Sequence, residues 1–294
     1  MPSGFLYCYR LSHMDVYISP DMEGITGIAD PRDVAKGEAD YEIGKELMVG
    51  DVNAAIDGAL ETGADRVLVN DSHSTMTNLA RTELDERAEL VRGSTKPWAM
   101  MQGIDERDYT VAFFVGYHAK AGTEAAVLNH SFFAQEIIRF YVNDTEVGEL
   151  GVNAGVAADY GIPVGLVTGD DKTGFEAEDV LGDVEPAVVK WGTDRFGTRS
   201  LPLEEAHDRI RTAARTAVER AANNEFDQPE FDTPVSLKAE WETTNMAYSA
   251  AQFPTVERVE PRTTEVVADS YVEAFDQSVA MIRAGYSGKN EWFG

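Results

Sequence analysis

Asp21 and Glu23 stand two residues apart at the end of an apolar run, Val16-Tyr17-Ile18, with Gly24 after them and no lysine or arginine beside them. Side chains two apart in an extended segment point the same way, so the two carboxylates converge on one point. Two anions held that close call for a cation, and a metal ion is the simplest one. Of the five histidines, His73 and His118 each fall just past an apolar run, in Asn-Asp-Ser-His-Ser at 70–74 and Gly-Tyr-His-Ala at 116–119. Taken singly, a histidine after a strand is more often a loop residue bonded to backbone than a ligand. Four such groups sharing one edge are harder to dismiss. Imidazole and carboxylate without thiolate favour zinc, with manganese or cobalt as rivals, over calcium or magnesium.

The elements that must position these groups are short apolar runs, Arg66 to Val69, Val111 to Val115 and Val164 to Val167, separated by helical patterns such as Tyr41 to Leu60. Strands apolar along their length and alternating with helices predict an α/β fold, a mostly parallel sheet with helices on both faces. Such sheets bind ligands beyond the carboxyl ends of their strands, which puts Asp21, Glu23, His73 and His118 on one edge. Ile137 to Val142 and Glu146 to Val147, split by Asn143 and Asp144, read as a hairpin or sheet edge. Val164 to Val167 exits into Gly-Asp-Asp at 169–171, which reads first as a turn with two solvated acids; the alternative is a pair that supports the ligands from behind or holds a substrate's ammonium group.

Leu203 to Ala222 is an amphipathic helix, with His207 on its polar side. Beyond it, strands around Val235 to Trp241 and Glu265 to Ala268 and a helix from Tyr271, capped by Ser270 and Glu273, form a smaller C-terminal α+β unit. The chain therefore divides into a metal-binding α/β domain at 14–192 and, at 193–294, a C-terminal helix and α+β unit packed on it. Met14 stands directly before the first strand, which marks residues 1–13 as a disordered extension or an upstream mis-start.

Composition narrows the partners. Fifty-two acidic against twenty-five basic residues give a net charge of -27, which repels nucleic acid and anionic membranes. No apolar run approaches the roughly 20 residues of a membrane span. The acidic excess is spread along the chain and arginine outnumbers lysine, the pattern of a protein kept soluble in concentrated salt. The reading is a halophilic, cytoplasmic protein with neither nucleic acid nor membrane as partner. Cys8 is the sole cysteine, so there is neither a disulfide framework nor a thiolate metal site.

Asp21, Glu23, His73, His118 and one further acid would exceed the three protein ligands of a single open zinc site. A carboxylate bridging two metals about 3.5–4 Å apart lets five residues supply six bonds, so a dinuclear hydrolytic site is the economical reading.

The blocks Asp-Met-Glu-Gly at 21–24, Asn-Asp-Ser-His-Ser at 70–74, Gly-Tyr-His-Ala at 116–119, Asn-His-Ser at 129–131, Val-Gly-Glu-Leu-Gly at 147–151 and Gly-Asp-Asp at 169–171 occur together and in order. As a set they resemble the zinc-dependent D-aminopeptidase family, over Met14 to about residue 190. The resemblance implies two zinc ions per subunit, Asp21 bridging them, with Glu23, His73, His118 and Glu149 completing their shells. Glu149 comes from the resemblance alone, since by spacing it is a helix-start acid favoured by the macrodipole. His130 matches the family's catalytic histidine, as nucleophile, general base or oxyanion stabiliser. Asn129 replaces the family's usual serine, a change that bears on how the His130 ring is oriented. The implied substrate is a short peptide, shortened from its amino end at D-residues, and the implied assembly is a homo-oligomer, a decamer enclosing a chamber. The residues alone also admit a different dinuclear amidase or phosphoesterase, and a non-catalytic binding module.

Screening at about 1 M salt shrinks the Debye length to about 3 Å. The melting temperature of the purified protein is therefore expected to climb steadily between about 0.1 M and about 3 M potassium chloride. A melting temperature indifferent to salt would contradict the halophilic reading.

Overall fold

The apolar run that ends beside Asp21 forms β1 (Asp15–Pro20), buried at every position because strands flank it on both sides. The computed structural model describes residues 13–290; of the extension expected over 1–13, all but His13 lies outside the described residues. After β1 come α1 (Pro31–Val34), α2 (Tyr41–Glu61), β2 (Arg66–Asn70), β3 (Glu89–Val91), β4 (Val111–Val115), β5 (Ile137–Val142), β6 (Thr145–Val147) and α3 (Glu149–Asp159). Then follow β7 (Val164–Asp170), α4 (Asp171–Leu181), β8 (Glu185–Asp194), β9 (Gly197–Ser200), α5 (Leu203–Ala222), β10 (Val235–Trp241), α6 (Thr244–Ala250), β11 (Glu257–Glu260), β12 (Thr263–Ala268) and α7 (Tyr271–Ser287).

The first sheet has the order β3-β2-β1-β4-β7-β8-β9 and is parallel except for β9, which pairs antiparallel with β8. Its strands alternate sides. Val16 and Ile18 join Val69, Phe113 and Leu166 in a core that includes Met48, Val52 and Ile56 of α2 and Ile210 and Ala214 of α5. Tyr17 and Phe114 face the opposite core, shared with α3, α4, α7 and the second sheet. Both faces of the sheet are covered, as continuously apolar strands require.

The second sheet, β11-β12-β10-β5-β6, is antiparallel throughout and takes β5 and β6 from before residue 192 and β10 to β12 from after it. Asn143 and Asp144, at φ 45° and 66°, make the two-residue hairpin turn that places β6 at the sheet edge. At 170–171 the structure corrects the sequence reading. β7 continues to Asp170 and α4 begins at Asp171, so this is a helix start instead of a solvated turn. Asp170 is buried and caps the helix, its carboxylate accepting from the backbone N–H of Lys172 and Thr173.

The chain leaves β1 for β2 on one side and returns to β4 on the other, so a crevice opens beyond the ends of β1 and β4. The two loops there touch. Gly24 N–H donates to Gly116 O at 2.8 Å, and a Cβ on Gly24 would lie 1.8 Å from Tyr117 O. Gly24→Ala should therefore cost about 3 kcal/mol in urea unfolding. Wild-type stability in that variant would show that the two loops are free to part.

Candidate metal centre

Three strand ends and one helix start deliver the site. Asp21 and Glu23 follow β1, His73 follows β2, His118 follows β4, Glu149 opens α3, and His130 lies between β4 and β5. The sequence-predicted residues meet. His73 Nδ1 lies 3.0 Å from Asp21 Oδ1 and 3.1 Å from Glu23 Oε2. His118 Nε2 lies 3.4 Å from Asp21 Oδ2 and 3.3 Å from Glu149 Oε1, and His130 Nε2 lies 3.7 Å from that same Glu149 oxygen. Two compact triads result, Asp21 with Glu23 and His73, and His118 with His130 and Glu149. Asp21 turns one oxygen toward each.

The imidazoles are held in register by backbone. His73 Nε2 pairs with Val34 O at 3.0 Å, His118 Nδ1 with Ala119 O at 3.0 Å, and His130 Nδ1 with Leu128 O at 2.9 Å. A carbonyl only accepts, so each of those nitrogens carries the proton, and in the neutral ring the other nitrogen presents a lone pair to the carboxylates. His118 Nε2 and Glu23 Oε2 are buried without a hydrogen-bond partner. Lone pairs facing lone pairs, orphaned and out of water, fit a bound cation. Imidazole with carboxylate suits a borderline divalent ion such as zinc.

The electrostatics say the same. Burial and the charge of Glu23 push Asp21 up to about 7. Burial pulls His118 down, yet Glu149 and Asp21 outweigh it and raise the ring to about 10. Burial likewise opposes His73, and Glu23 with Asp21 still hold it well above the usual imidazole range. The carboxylates recruit protons onto the rings beside them, and a metal would displace those protons. His130 behaves differently: burial and neighbouring His118, stacked on it at 4.0 Å between ring centroids, push it down.

A cavity of about 420 Å³ opens on the site, lined by Asp21, Glu23, His73, His130 and Glu149 and walled by Met76, Met100, Phe132 and Phe275. A larger hollow of about 850 Å³ around Phe175 and Glu176 touches none of the converging residues except the flank of α3, and donor chemistry decides between the two. The backbone around the 420 Å³ cavity is unusual. Ser74 and Met76 in the His73 loop, and Leu128 and Phe132 around His130, are non-glycine residues with φ between 47° and 61°. Such conformations persist where surrounding bonds over-determine them. Phe132 N–H, for one, donates to Glu149 Oε1 at 2.5 Å.

The D-aminopeptidase family profile, Peptidase M55, matches residues 14–279. The chain belongs to the D-aminopeptidase family. It is thus a peptidase, a hydrolase. The D-aminopeptidase of Bacillus subtilis (strain 168) is 43% identical over 188 residues, 64% of this chain and 68% of that protein. The solved structure of the Zn-dependent D-aminopeptidase DppA from Bacillus subtilis, described as a self-compartmentalizing protease, superposes with a TM-score of 0.88 at 34% identity, over 93% of this chain and 98% of that one.

Around the converging residues lie others that brace them, of which the sequence does not single out Lys190 and Asp51. Lys190 is fully buried in β8 and donates its three protons to Glu23 O at 2.5 Å and to Ile25 O and Ile28 O, each at 2.8 Å, so it ties down the loop that carries both acids. Burial pushes its ammonium down to about 8. Asp51 accepts from Thr26 N and Oγ1 in the same loop, and His207 stands 3.3 Å from it. Asp170 accepts from Val127 N at 2.7 Å, bracing the His130 loop from below. Asn129 accepts from Gly122 N and donates to Ala126 O; it shapes the loop, while Leu128 O orients the His130 ring. Nothing local marks Lys190: between Val189 and Trp191 a lysine reads as an ordinary edge position.

Lys190→Met leaves three carbonyls without a donor, and each unsatisfied group costs about 1–3 kcal/mol. The variant is expected to unfold at markedly lower urea and to bind zinc more weakly in calorimetry. Wild-type values on both would remove Lys190 from the support of the site.

Proposed function

We propose that the protein is a two-zinc aminopeptidase that removes the amino-terminal residue, in the D configuration, from short peptides. The observation that carries this reading is the division of Asp21, one oxygen toward His73 and the other toward His118. Asp21, Glu23 and His73 would hold one ion, and Asp21, His118 and Glu149 the other; manganese or cobalt would suit the same donors. What zinc supplies when bound is Lewis acidity for the scissile carbonyl and a water of pKa near about 7.

The chain's own residues do the rest. His130 keeps its Nε2 lone pair open to the cavity, with Nδ1 engaged by Leu128 O. Pushed below the ordinary imidazole value, it is neutral near pH 7 and takes the proton of the attacking water, then returns it to the leaving nitrogen. Met76, Met100, Phe132 and Phe275 give the cavity apolar walls, and a less polar surrounding strengthens each of these electrostatic interactions.

The self-compartmentalizing character of the Bacillus subtilis relative extends, in this proposal, to a closed homo-oligomer of this chain, a decamer as the family resemblance implies, whose chamber admits only short peptides. The compartment we assign is the cytoplasm, consistent with a single cysteine in the whole sequence.

His118→Ala is expected to lose zinc together with activity, because it strips one triad of its only ring nitrogen facing Asp21. His130→Ala should retain two equivalents of zinc and lose roughly 100-fold or more in kcat on D-alanyl peptides. Elemental analysis and peptide hydrolysis in high salt read both. Full turnover in His130→Ala would remove its catalytic role, and cleavage of a phosphate diester in place of D-alanyl peptides would overturn the aminopeptidase reading.

A further inference from the structure

The cavity over the metal centre has a second chemical pole. Among the described residues its walls carry the acids Asp21, Glu23 and Glu149 and one arginine, Arg283, with no lysine. Arg283 sits on α7, whose Phe275, Val279 and Ile282 line the same wall. Positions 275, 279, 282 and 283 recur at helical spacing, so one stripe of α7 forms this side of the cavity.

The guanidinium is anchored but not neutralised. Arg283 Nη2 donates to Lys96 O at 3.1 Å, and among the described residues no carboxylate pairs with it. Lys96 spends its own ammonium on Asn70 Oδ1 and Asp71 O, away from the cavity, so its charge does not serve the pocket. In a chain of net charge -27, a solvent-exposed guanidinium at the cavity wall that pairs with no carboxylate among the described residues offers a planar fork matched to a carboxylate. From Phe275 to Arg283 the α7 wall runs about 12 Å. An extended chain covers about 3.3–3.6 Å per residue, so the wall matches a peptide of about three or four residues.

We infer that Arg283 binds the free C-terminal carboxylate of the peptide whose amino end is processed at the metal centre. The enzyme then recognises both ends of its substrate. Length selection follows within each subunit, independently of any chamber, because a longer peptide cannot put its carboxylate on Arg283 while its first peptide bond lies at the metals. This specificity rests on the aminopeptidase reading and adds the substrate class: short peptides with a free carboxyl terminus.

The test compares a D-alanyl tripeptide with its C-terminal amide. On wild type, the free acid should have a KM about 10- to 100-fold below that of the amide, the range expected of a charge-assisted pair, with similar kcat. Arg283→Gln should raise KM for the acid to that of the amide and leave amide hydrolysis unchanged. Calorimetry on zinc-loaded His130→Ala, whose turnover is slow enough to follow binding, should show the same preference, and His130→Ala with Arg283→Gln should lose it. Equal KM and equal binding of acid and amide by the Arg283 proteins would overturn the inference while leaving the aminopeptidase standing, as would an equal loss on both peptides in Arg283→Gln. Absence of turnover on either peptide by zinc-loaded wild type would overturn the aminopeptidase reading and this inference with it.

Discussion

Asp21, Glu23 and Glu149 are forced together out of water, and that single electrostatic conflict organises the structure around it. Carboxylates this buried and this close are stable only if positive charge stands among them. The chain answers with His73 and His118, each locked by a backbone carbonyl so that its second nitrogen has nowhere else to point. Asp21 belongs to both halves of the arrangement, 3.0 Å from one ring and 3.4 Å from the other. Removing a partner would leave an uncompensated charge in the interior, a far larger penalty than any surface ion pair could offset.

The fold makes such a conflict possible by geometry. Parallel strands flanking a switch point all end on one side, so β1, β2 and β4 deliver their loops to one crevice without long detours. The second sheet and α3 then close it from the opposite side, bringing Glu149 and the His130 loop. Support beneath the site is polar and buried: Lys190 under the Glu23 loop, Asp170 under the His130 loop, and Tyr117, which hydrogen-bonds Ser19 and Asn153 under the floor. A network of this kind is stable when its members are satisfied, and it fixes side chains that packing alone would leave loose.

How much of this could be read from the sequence follows from the range of each signal. Asp21, Glu23, His73 and His118 follow apolar strands directly, so local pattern plus the rule for parallel sheets placed them together, and the structure does bring them together. Glu149 carries no such mark; a glutamate at a helix start is favoured by the macrodipole wherever it occurs, and only the family resemblance pointed to it. Asp170 was misread because Gly-Asp-Asp after a strand suggests a solvated turn, whereas the carboxylate is buried by contacts with Val127 and Thr173, one of them far away in sequence. The same limit hid the second sheet, where β5 pairs with β10 nearly a hundred residues later: nothing local in either strand names its partner. Lys190 is the clearest case, since a buried ammonium is legible only once the carbonyls it binds are in place.

The most direct test of the account is to locate the ions themselves. Anomalous diffraction at the zinc edge from crystals of the zinc-loaded protein should show two peaks per chain, one beside Glu23 and His73, the other beside His118 and Glu149, with Asp21 touching both. A single peak, or two peaks that Asp21 does not bridge, would contradict it.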